Sequence, residues 1–223
     1  PARPPEIAEY DNPILTQSHT SGKVRTIGLC NMAAWQVMKA LGISDKRGWA
    51  RFESVQAYYT IAGRDLEREM VPLLADEQVG LMVWSPLAGG WLSGKFRKGN
   101  DTPDTHRSKM RPSAYDTGDP QNAAKLDAVE QFALLADEAG MSLIHLAIGF
   151  VMQHPAVTAP IIGPRTMEHL ESQLGAADVT LSSDVLDRID EIVAPGTNVS
   201  SGDGGYVPDA LQYPFLRRRR ISS

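Results

Sequence analysis

Four short apolar segments of this chain, each rich in Val, Ile or Leu, end in a compact polar or glycine-rich cluster. The clusters are residues 28–31 (GLCN), 55–58 (VQAY), 84–90 (WSPLAGG) and 161–166 (IIGPRT). Each cluster is followed by a stretch with the periodicity of an amphipathic helix. Strands that alternate with helices predict parallel βα units, whose working residues lie at the carboxyl ends of the strands. Four such clusters in order therefore predict one ligand site that is built from several loops.

The composition restricts the class of protein. The 223 residues suffice for one domain with a sizeable core or for two small ones. The net charge of −5 does not favour nucleic-acid binding, which usually needs a basic face. The single cysteine, Cys30, excludes an internal disulfide and favours a reducing compartment. Because no apolar run approaches the ~18 residues of a membrane span, and residues 1–5 (PARPP) do not resemble a secretion signal, a cytoplasmic protein without a nucleic-acid or membrane partner is predicted.

The hydrophobic pattern predicts alternating strands and helices over most of the chain. The predicted strands are residues 24–29, 52–57, 81–84 and 157–162. The predicted helices are residues 32–41, 65–77, 122–139, 142–153 and 166–177, and one more that begins near Ser183 and stops at Pro195-Gly196. We expect an irregular arm at residues 1–21, a long functional or disordered loop at residues 88–121, and a flexible tail at residues 197–223 that ends in four solvated arginines.

Three of these segments together resemble the aldo-keto reductase family: residues 22–29 (GKVRTIGL), 84–90 (WSPLAGG) and 163–166 (GPRT). The likeness runs from Gly22 to about Val193, and it is strongest to the branch that also contains the potassium-channel β-subunits. It implies a partial (β/α)8 barrel in residues 22–196, with about four carboxyl-terminal βα units and a final helix. A complete barrel usually needs ~250 residues, so we expect a chain that lacks the first half of the barrel.

The resemblance implies that the chain binds NADP(H). Asn31 and Gln56 match the residues that hold the nicotinamide carboxamide, since amide side chains both donate and accept hydrogen bonds. Cys30 stands where the family usually has a serine, so one hydrogen bond is expected to be weaker. Trp84 matches the aromatic residue on which the nicotinamide ring stacks. Structural alternatives stay open: Asn31 could cap the following helix, Gln56 could be a satisfied residue inside the barrel, and Trp84 could be a core tryptophan.

The second part of the implied site holds the pyrophosphate. The resemblance assigns Ser85, Pro86, Leu87 and Gly89 to it, because a glycine-rich turn lets backbone N–H groups approach phosphate oxygens. Lys95 matches a family lysine that closes over the same phosphates, although it could also be an ordinary solvated lysine. The cations at positions 97 and 98 lie beside it and could partly substitute for it.

The third part of the implied site holds the 2′-phosphate and the adenosine. Gly163 and Arg165 belong to a segment that opens a helix, and a helix N-terminus attracts an anion. The planar guanidinium suits a phosphate, which favours NADP over NAD. Further along this helix the family usually has Gln or Arg and then Asn; this chain has His169 and Gln173, which can still form hydrogen bonds. A G-x-G-x-x-G motif is absent, as expected for a barrel.

No segment of the chain resembles the motifs that contain the catalytic residues of the family. Carbonyl reduction needs a proton donor as well as a hydride. In the family the donor is a tyrosine tuned by a lysine and an aspartate, with a histidine that orients the substrate, and all four come from the first half of the barrel. Tyr10 and Asp11 precede the first strand in surroundings that do not match, and Lys23 would face the opposite end of a barrel. We therefore assign no catalytic residue, and no histidines show metal-ligand spacing.

Three functions stay open at this stage. The first is an NADP(H)-dependent oxidoreductase of aldehydes or ketones whose catalytic half is missing. The second is a non-catalytic NADP(H)-binding or interaction protein, and the third is an inactive remnant. A partial barrel has open strand edges, so two copies could pair as a homo-oligomer, or the chain could associate with an amino-terminal half.

Overall fold

The computed structural model describes residues 13–200 and 202–216, and a parallel four-stranded sheet lies at its centre. The strands, which lie side by side in chain order, are β1 (Ile27–Cys30), β2 (Phe52–Tyr58), β3 (Gly80–Trp84) and β4 (Val157–Ile161). Every neighbouring pair is parallel, and helical segments make the connections. Sequential parallel strands with helical crossovers are successive βα units. The predicted fold class, a partial (β/α)8 barrel with about four βα units, is confirmed.

Helical segments occupy most of the remaining chain. The α-helices are α1 (Pro13–Thr20), α2 (Ala34–Arg47), α3 (Met70–Asp76), α4 (His106–Met110), α5 (Pro112–Tyr115), α6 (Ala123–Glu138), α7 (Leu143–Gln153), α8 (Met167–Leu174), α9 (Ser183–Ile192) and α10 (Asp209–Gln212). Short 3-10 segments lie at Asp65–Glu67, Ala88–Ser93, Pro120–Asn122, Gly175–Asp178 and Pro214–Leu216. Ser142, Thr166 and Ser182 cap α7, α8 and α9 by accepting a backbone N–H. These caps explain why the starts of the three helices were predicted to within a residue or two.

One face of the sheet is packed and the other is partly open. Val55, Leu81 and Val83 are completely buried and join a cluster that includes the buried side chains of α6 and α7. Gln56 and Met82, which alternate with them, keep part of their surface exposed.

In the described part of the chain, no single helix is long and apolar enough to cross a membrane. The helix α6 with its preceding 3-10 turn reaches that length only together with α7, and a 93° bend separates the two.

The amino-terminal region differs from the prediction. Residues 13–20 form α1 within the segment that was expected to be irregular, whereas residues 1–12 lie outside the described residues. A proline is tolerated in the first helical turn, because the N–H it lacks would have no partner there. The predicted first strand also begins later, at Ile27. The N–H groups of Lys23 and Val24 both donate to Ser18 O and are therefore occupied outside the sheet.

The predicted helix at residues 65–77 is divided into two segments. A 3-10 turn at Asp65–Glu67 precedes α3, and Glu69 between them has a non-helical backbone. A continuous helix would need a hydrogen bond from the residue-72 nitrogen to Arg68 O, which Pro72 cannot donate. The proline therefore lies in the first turn of a separate helix, where its missing N–H is tolerated.

The long connection from β3 to α6 is folded, not disordered. It contains two short helices and a buried aromatic group in which Trp91 stacks on Phe96 at 4.4 Å and on Tyr115 at 6.0 Å. Asn122 closes the connection by donating from its side chain to the carbonyl oxygens of Ser113 and Asp116. The loop is thus a small packed unit, and it contributes residues to the site described next.

Candidate functional site

A cleft of about 690 Å³ opens at the carboxyl ends of β3 and β4. The predicted site residues that line it are Trp84, Ser85, Pro86, Leu87, Gly89, Lys95, Gly163, Arg165, His169 and Gln173. The structure therefore brings together residues from the connection after β3 and from the segment that leads into α8. The other predicted residues, Cys30, Asn31 and Gln56, do not line this cleft; they lie at the ends of the neighbouring strands.

The cleft is cationic, although the chain carries a net charge of −5. Lys95, Arg107 and Arg165 line it together with His106 and His169, and no Asp or Glu is among its lining residues. None of the three Lys and Arg side chains forms an ion pair with any residue that the structure describes. Cations that lack a protein counter-charge favour an anionic ligand.

Arg97 and Lys98, which the sequence offered as substitutes for Lys95, contact α6 instead. Arg97 forms a salt bridge of 2.8 Å with Glu130, and Lys98 Nζ lies 2.7 Å from a carboxylate oxygen of Asp127. The hydrogen bond from Arg97, supported by the backbone N–H of Lys98, lowers the pKa of Glu130 to about 2. These two cations hold the long loop on α6 and do not line the cleft, and their partial substitution for Lys95 stays a prediction.

Arg107 is a cleft cation that the sequence analysis missed. It belongs to α4, whose first turn is capped because Ser108 N–H donates to the Thr105 hydroxyl at 3.0 Å. One of its guanidinium nitrogens lies close to Gly89, where an added Cβ would be 3.3 Å away. The only local signal was a Thr-x-x-Ser cap inside a segment without periodicity. Its distance from Gly89 depends on how the whole loop folds.

The turn after Trp84 is held by its own hydrogen bonds. Ser85 and Ala88 both adopt left-handed backbone conformations, with φ of 59° and 47°. Gly89 N–H donates to the Ser85 hydroxyl at 2.8 Å, Gly90 N–H donates to Leu87 O, and the Gly89 carbonyl accepts from the Tyr115 hydroxyl. The sequence predicted that the N–H groups of this turn would be free to bind phosphate oxygens, but those of Gly89 and Gly90 already have hydrogen-bond partners. Side chains, not these amides, supply the positive charge of the cleft.

Arg165 lies directly before α8, at the opposite wall of the cleft. Thr166 caps this helix by accepting the His169 N–H at 3.2 Å, and the Arg165 side chain is exposed. His169 and Gln173 are four residues apart, which places them on one face of the helix, and both line the cleft. All four residues predicted for the phosphate and adenosine end, Gly163 among them, thus line the same cleft.

The residues predicted for the nicotinamide end are linked to one another by hydrogen bonds. Trp84 Nε1 donates to Asn31 Oδ1 at 2.8 Å, and Asn31 N donates to Gln56 O at 2.9 Å. Cys30 Sγ donates to Gln56 Oε1 at 3.5 Å, which is the weak bond expected of a thiol. Asn31 has a left-handed backbone with φ of 51°, and α2 begins after Ala33. The alternative that Asn31 caps this helix is therefore wrong.

A second cavity of about 430 Å³ lies beside Asn31, and the carboxyl-terminal segment forms one of its walls. Its lining includes Tyr58, Asp65, Gly205 and Tyr206. Burial raises the pKa of Tyr58, and the carboxylates of Asp203 and Asp65 raise it further, so the phenol stays protonated at neutral pH. These carboxyl-terminal residues belong to the tail at residues 197–223 that the sequence predicted to be flexible, and their approach to the strand ends was not predicted.

No catalytic proton donor emerges from the described residues. No group of three or more His, Cys, Asp or Glu side chains among them could hold a metal ion. Tyr10 and Asp11 lie outside the described residues. His145 Nε2 lies 3.1 Å from Ser172 O, and burial lowers the pKa of His154. These two histidines are parts of the packed structure, and the assignment of no catalytic residue stays a prediction.

Fold and cleft together define a parallel βα half-barrel with a cationic site at the carboxyl ends of its strands. The model of the aldo/keto reductase family matches residues 7–194. The chain therefore belongs to the aldo/keto reductase family, as the sequence motifs predicted. Its place in the branch with the potassium-channel β-subunits stays a prediction.

Individual relatives agree with this family. The uncharacterized oxidoreductase YrpG of Bacillus subtilis is 34% identical over 202 residues, which are 86% of this chain and 54% of the relative. Versiconal hemiacetal acetate reductase of Aspergillus parasiticus is 33% identical over 181 residues, 78% of this chain and 50% of the relative. Protein tas of Escherichia coli is 27% identical over 178 residues, 80% and 50% of the two chains. The chain thus spans about half the length of these relatives.

Proposed function

We propose that this chain provides the NADP(H)-binding half of an oxidoreductase that acts on aldehydes or ketones. The observation that supports the proposal most is the cleft of Lys95, Arg107 and Arg165, which contains no carboxylate. A dinucleotide with an additional 2′-phosphate carries more negative charge than its unphosphorylated counterpart. A cleft of this charge favours the phosphorylated form.

The chemistry of each group fits one part of the dinucleotide. Arg165 offers a planar fork of donors to the 2′-phosphate, and Lys95 and Arg107 offer charge to the pyrophosphate. The amides of Asn31 and Gln56 match a carboxamide, which both donates and accepts, and Trp84 offers an aromatic face to the nicotinamide ring. The bound cofactor would supply the hydride.

The cofactor test compares NADPH and NADH by isothermal titration calorimetry on the purified chain. We expect NADPH to bind at least about tenfold more tightly, because a charge-assisted hydrogen bond contributes ~1.5–3 kcal/mol. Adenosine 2′,5′-bisphosphate, which contains only the phosphorylated adenosine, should also bind. Equal affinity for NADPH and NADH, or binding of neither, would contradict the proposal.

Carbonyl turnover by the same chain requires a proton donor, and we propose that another βα half supplies it. β1 and β4 each pair on one side only among the described strands, so both edges of the sheet are open to a partner. A second copy or an amino-terminal half of a family barrel would fit. If neither a second copy nor an amino-terminal half associates with the chain, the hypothesis of a non-catalytic NADP(H)-binding protein gains support.

Light scattering tests the association. We expect the mass of the isolated chain to rise toward twice that of one copy as its concentration increases, because open parallel edges pair. If the chain stays monomeric, mixing with the separately expressed amino-terminal half of YrpG should give a heterodimer. A monomer that melts cooperatively and binds neither partner would refute the proposal of a second half.

A further inference from the structure

The carboxyl-terminal segment crosses the strand ends at the place predicted for the nicotinamide. Residues 202–206, called the strap from here on, follow a stretch that is attached to the loop after β2. Val199 N–H donates to Ala62 O at 3.0 Å, and Asp65 N–H donates to Asn198 Oδ1 at 3.0 Å. The strap therefore leaves the body of the protein from a defined position, beside β2.

Gly205 brings the strap into close contact with the nicotinamide residues. A Cβ at this position would lie 2.1 Å from Asn31 Oδ1 and 3.1 Å from Trp84 Cζ2, so not even a methyl group fits between them. These two side chains are the ones predicted to contact the carboxamide and the ring. The adenosine end of the cleft, near Arg165, has no strap residue among its lining.

An ion pair holds the strap in this position. Lys125 Nζ lies 2.5 Å from Asp203 Oδ2, and its side chain is only 8% exposed. The same ammonium lies over the Trp91 ring, 5.3 Å from the centroid. Asp203 is the only carboxylate that pairs with Lys125 in the described part of the chain. If the strap leaves, a buried cation loses its counter-charge, so the closed position is favoured.

We propose that the strap and the nicotinamide half of NADP(H) compete for Asn31 and Trp84, so that the strap must lift before the whole dinucleotide binds. This inference rests on the proposed function. Glycine at three of the strap's five positions makes the movement conformationally accessible. The adenosine end binds without this movement. Because only molecules with an open strap bind the whole dinucleotide, the apparent affinity is the intrinsic affinity multiplied by the open fraction.

Two substitutions weaken the closed position by different means. Asp203→Asn removes the charge that pairs with Lys125. Gly205→Ala introduces a Cβ for which the closed strap has no room. Gly204→Ala is the matched control, since its Cβ would come no closer than 3.8 Å to Asp65 Oδ2, an ordinary contact. Thermal melts confirm that each variant folds.

The experiment measures the affinity of each variant for NADPH and for adenosine 2′,5′-bisphosphate. We expect Asp203→Asn to bind NADPH roughly fivefold more tightly, as the loss of a partly exposed ion pair would open the strap. Gly205→Ala should act in the same direction and Gly204→Ala should not. Affinity for the bisphosphate should stay unchanged throughout. In wild type, NADPH but not the bisphosphate should accelerate amide hydrogen exchange in residues 202–206.

The outcomes separate the strap from the proposed function. If the bisphosphate binds and the NADPH affinity of Asp203→Asn equals that of wild type, with no change in strap exchange, the strap does not compete and the inference is wrong. If neither ligand binds any variant, the proposed function fails and the inference fails with it.

Discussion

Arg165→Met is expected to lower the affinity for NADPH roughly tenfold while leaving the affinity for NADH nearly unchanged. Arg165 is an exposed cation before α8 without an ion-pair partner among the described residues, and it lines the cleft. A charge-assisted hydrogen bond to phosphate contributes ~1.5–3 kcal/mol, and solvent exposure favours the lower end of that range. Calorimetric titrations measure the affinities for both dinucleotides. The diagnostic result is that the ratio of the NADPH affinity to the NADH affinity falls toward one.

Arg111→Met is the matched control for this experiment. Arg111 is also exposed and has no ion-pair partner among the described residues, but it does not line the cleft. The two variants change the net charge equally, so a general loss of attraction for anions would affect both. If Arg111→Met weakens NADPH binding as much as Arg165→Met does, the 2′-phosphate is not held at position 165.

The three cleft cations should differ in what they recognise. Lys95 and Arg107 are assigned to the pyrophosphate, which NADPH and NADH share, so their removal should weaken both ligands. Only Arg165 should affect the ratio between the two. This division separates a specific phosphate site from a diffuse positive field, which would not distinguish the three positions.

The residues at the strand ends were predictable because a parallel sheet aligns them. Cys30 pairs with Gln56 in the register, and Tyr58 pairs with Trp84. A strand signal that ends in a polar cluster therefore locates the cluster in space as well as in sequence. The helix that follows Arg165 was equally visible, because the Thr166 cap is a local signal.

The features that the sequence did not reveal depend on contacts between distant segments. Arg107 reaches the cleft only because the loop after β3 packs around Trp91, and Gly205 reaches Asn31 only because the chain turns back after α9. Neither contact leaves a periodic pattern. The ion-pair partners of the cations could not be predicted from the sequence either. Arg97 and Lys95 look alike in sequence, yet only Arg97 has a carboxylate partner among the described residues.

Arg64 is the centre of a buried polar network that joins the loop after β2 to the end of α9. Its side chain, 6% exposed, donates to Glu67 at 2.8 Å, to Asp190 at 2.6 Å and to Val193 O at 2.9 Å. Glu67 also accepts from the Tyr59 hydroxyl at 2.6 Å. Burial would raise the pKa of Glu67, but the hydrogen bonds from Arg64 and Tyr59 outweigh it and lower the pKa.

Arg64→Met is therefore expected to destabilise the fold by about 3 kcal/mol, because removing one partner of a buried pair leaves the other charge uncompensated. Urea unfolding at neutral pH measures the free energy. The difference between wild type and variant should shrink as the pH falls. Glu67 has a folded pKa below its ordinary value of 4.5, so its contribution is complete above that pH and is lost below it.

Two further variants separate the network from a general effect of losing an arginine. Arg188→Met removes an exposed partner of Glu138 and should leave the urea midpoint unchanged. Adding Glu67→Gln to Arg64→Met removes the orphaned charge, so the double variant should be more stable than the sum of the two single losses predicts. Strict additivity would mean that Arg64 stabilises the protein through its other contacts, which are Asp190, Val193 O and the Phe150 ring 5.1 Å away, and not through Glu67. The network also holds the chain shortly before the strap, since Glu67 accepts the Gly196 N–H at 2.8 Å. A loosened network should therefore also release the strap and raise the apparent affinity for NADPH.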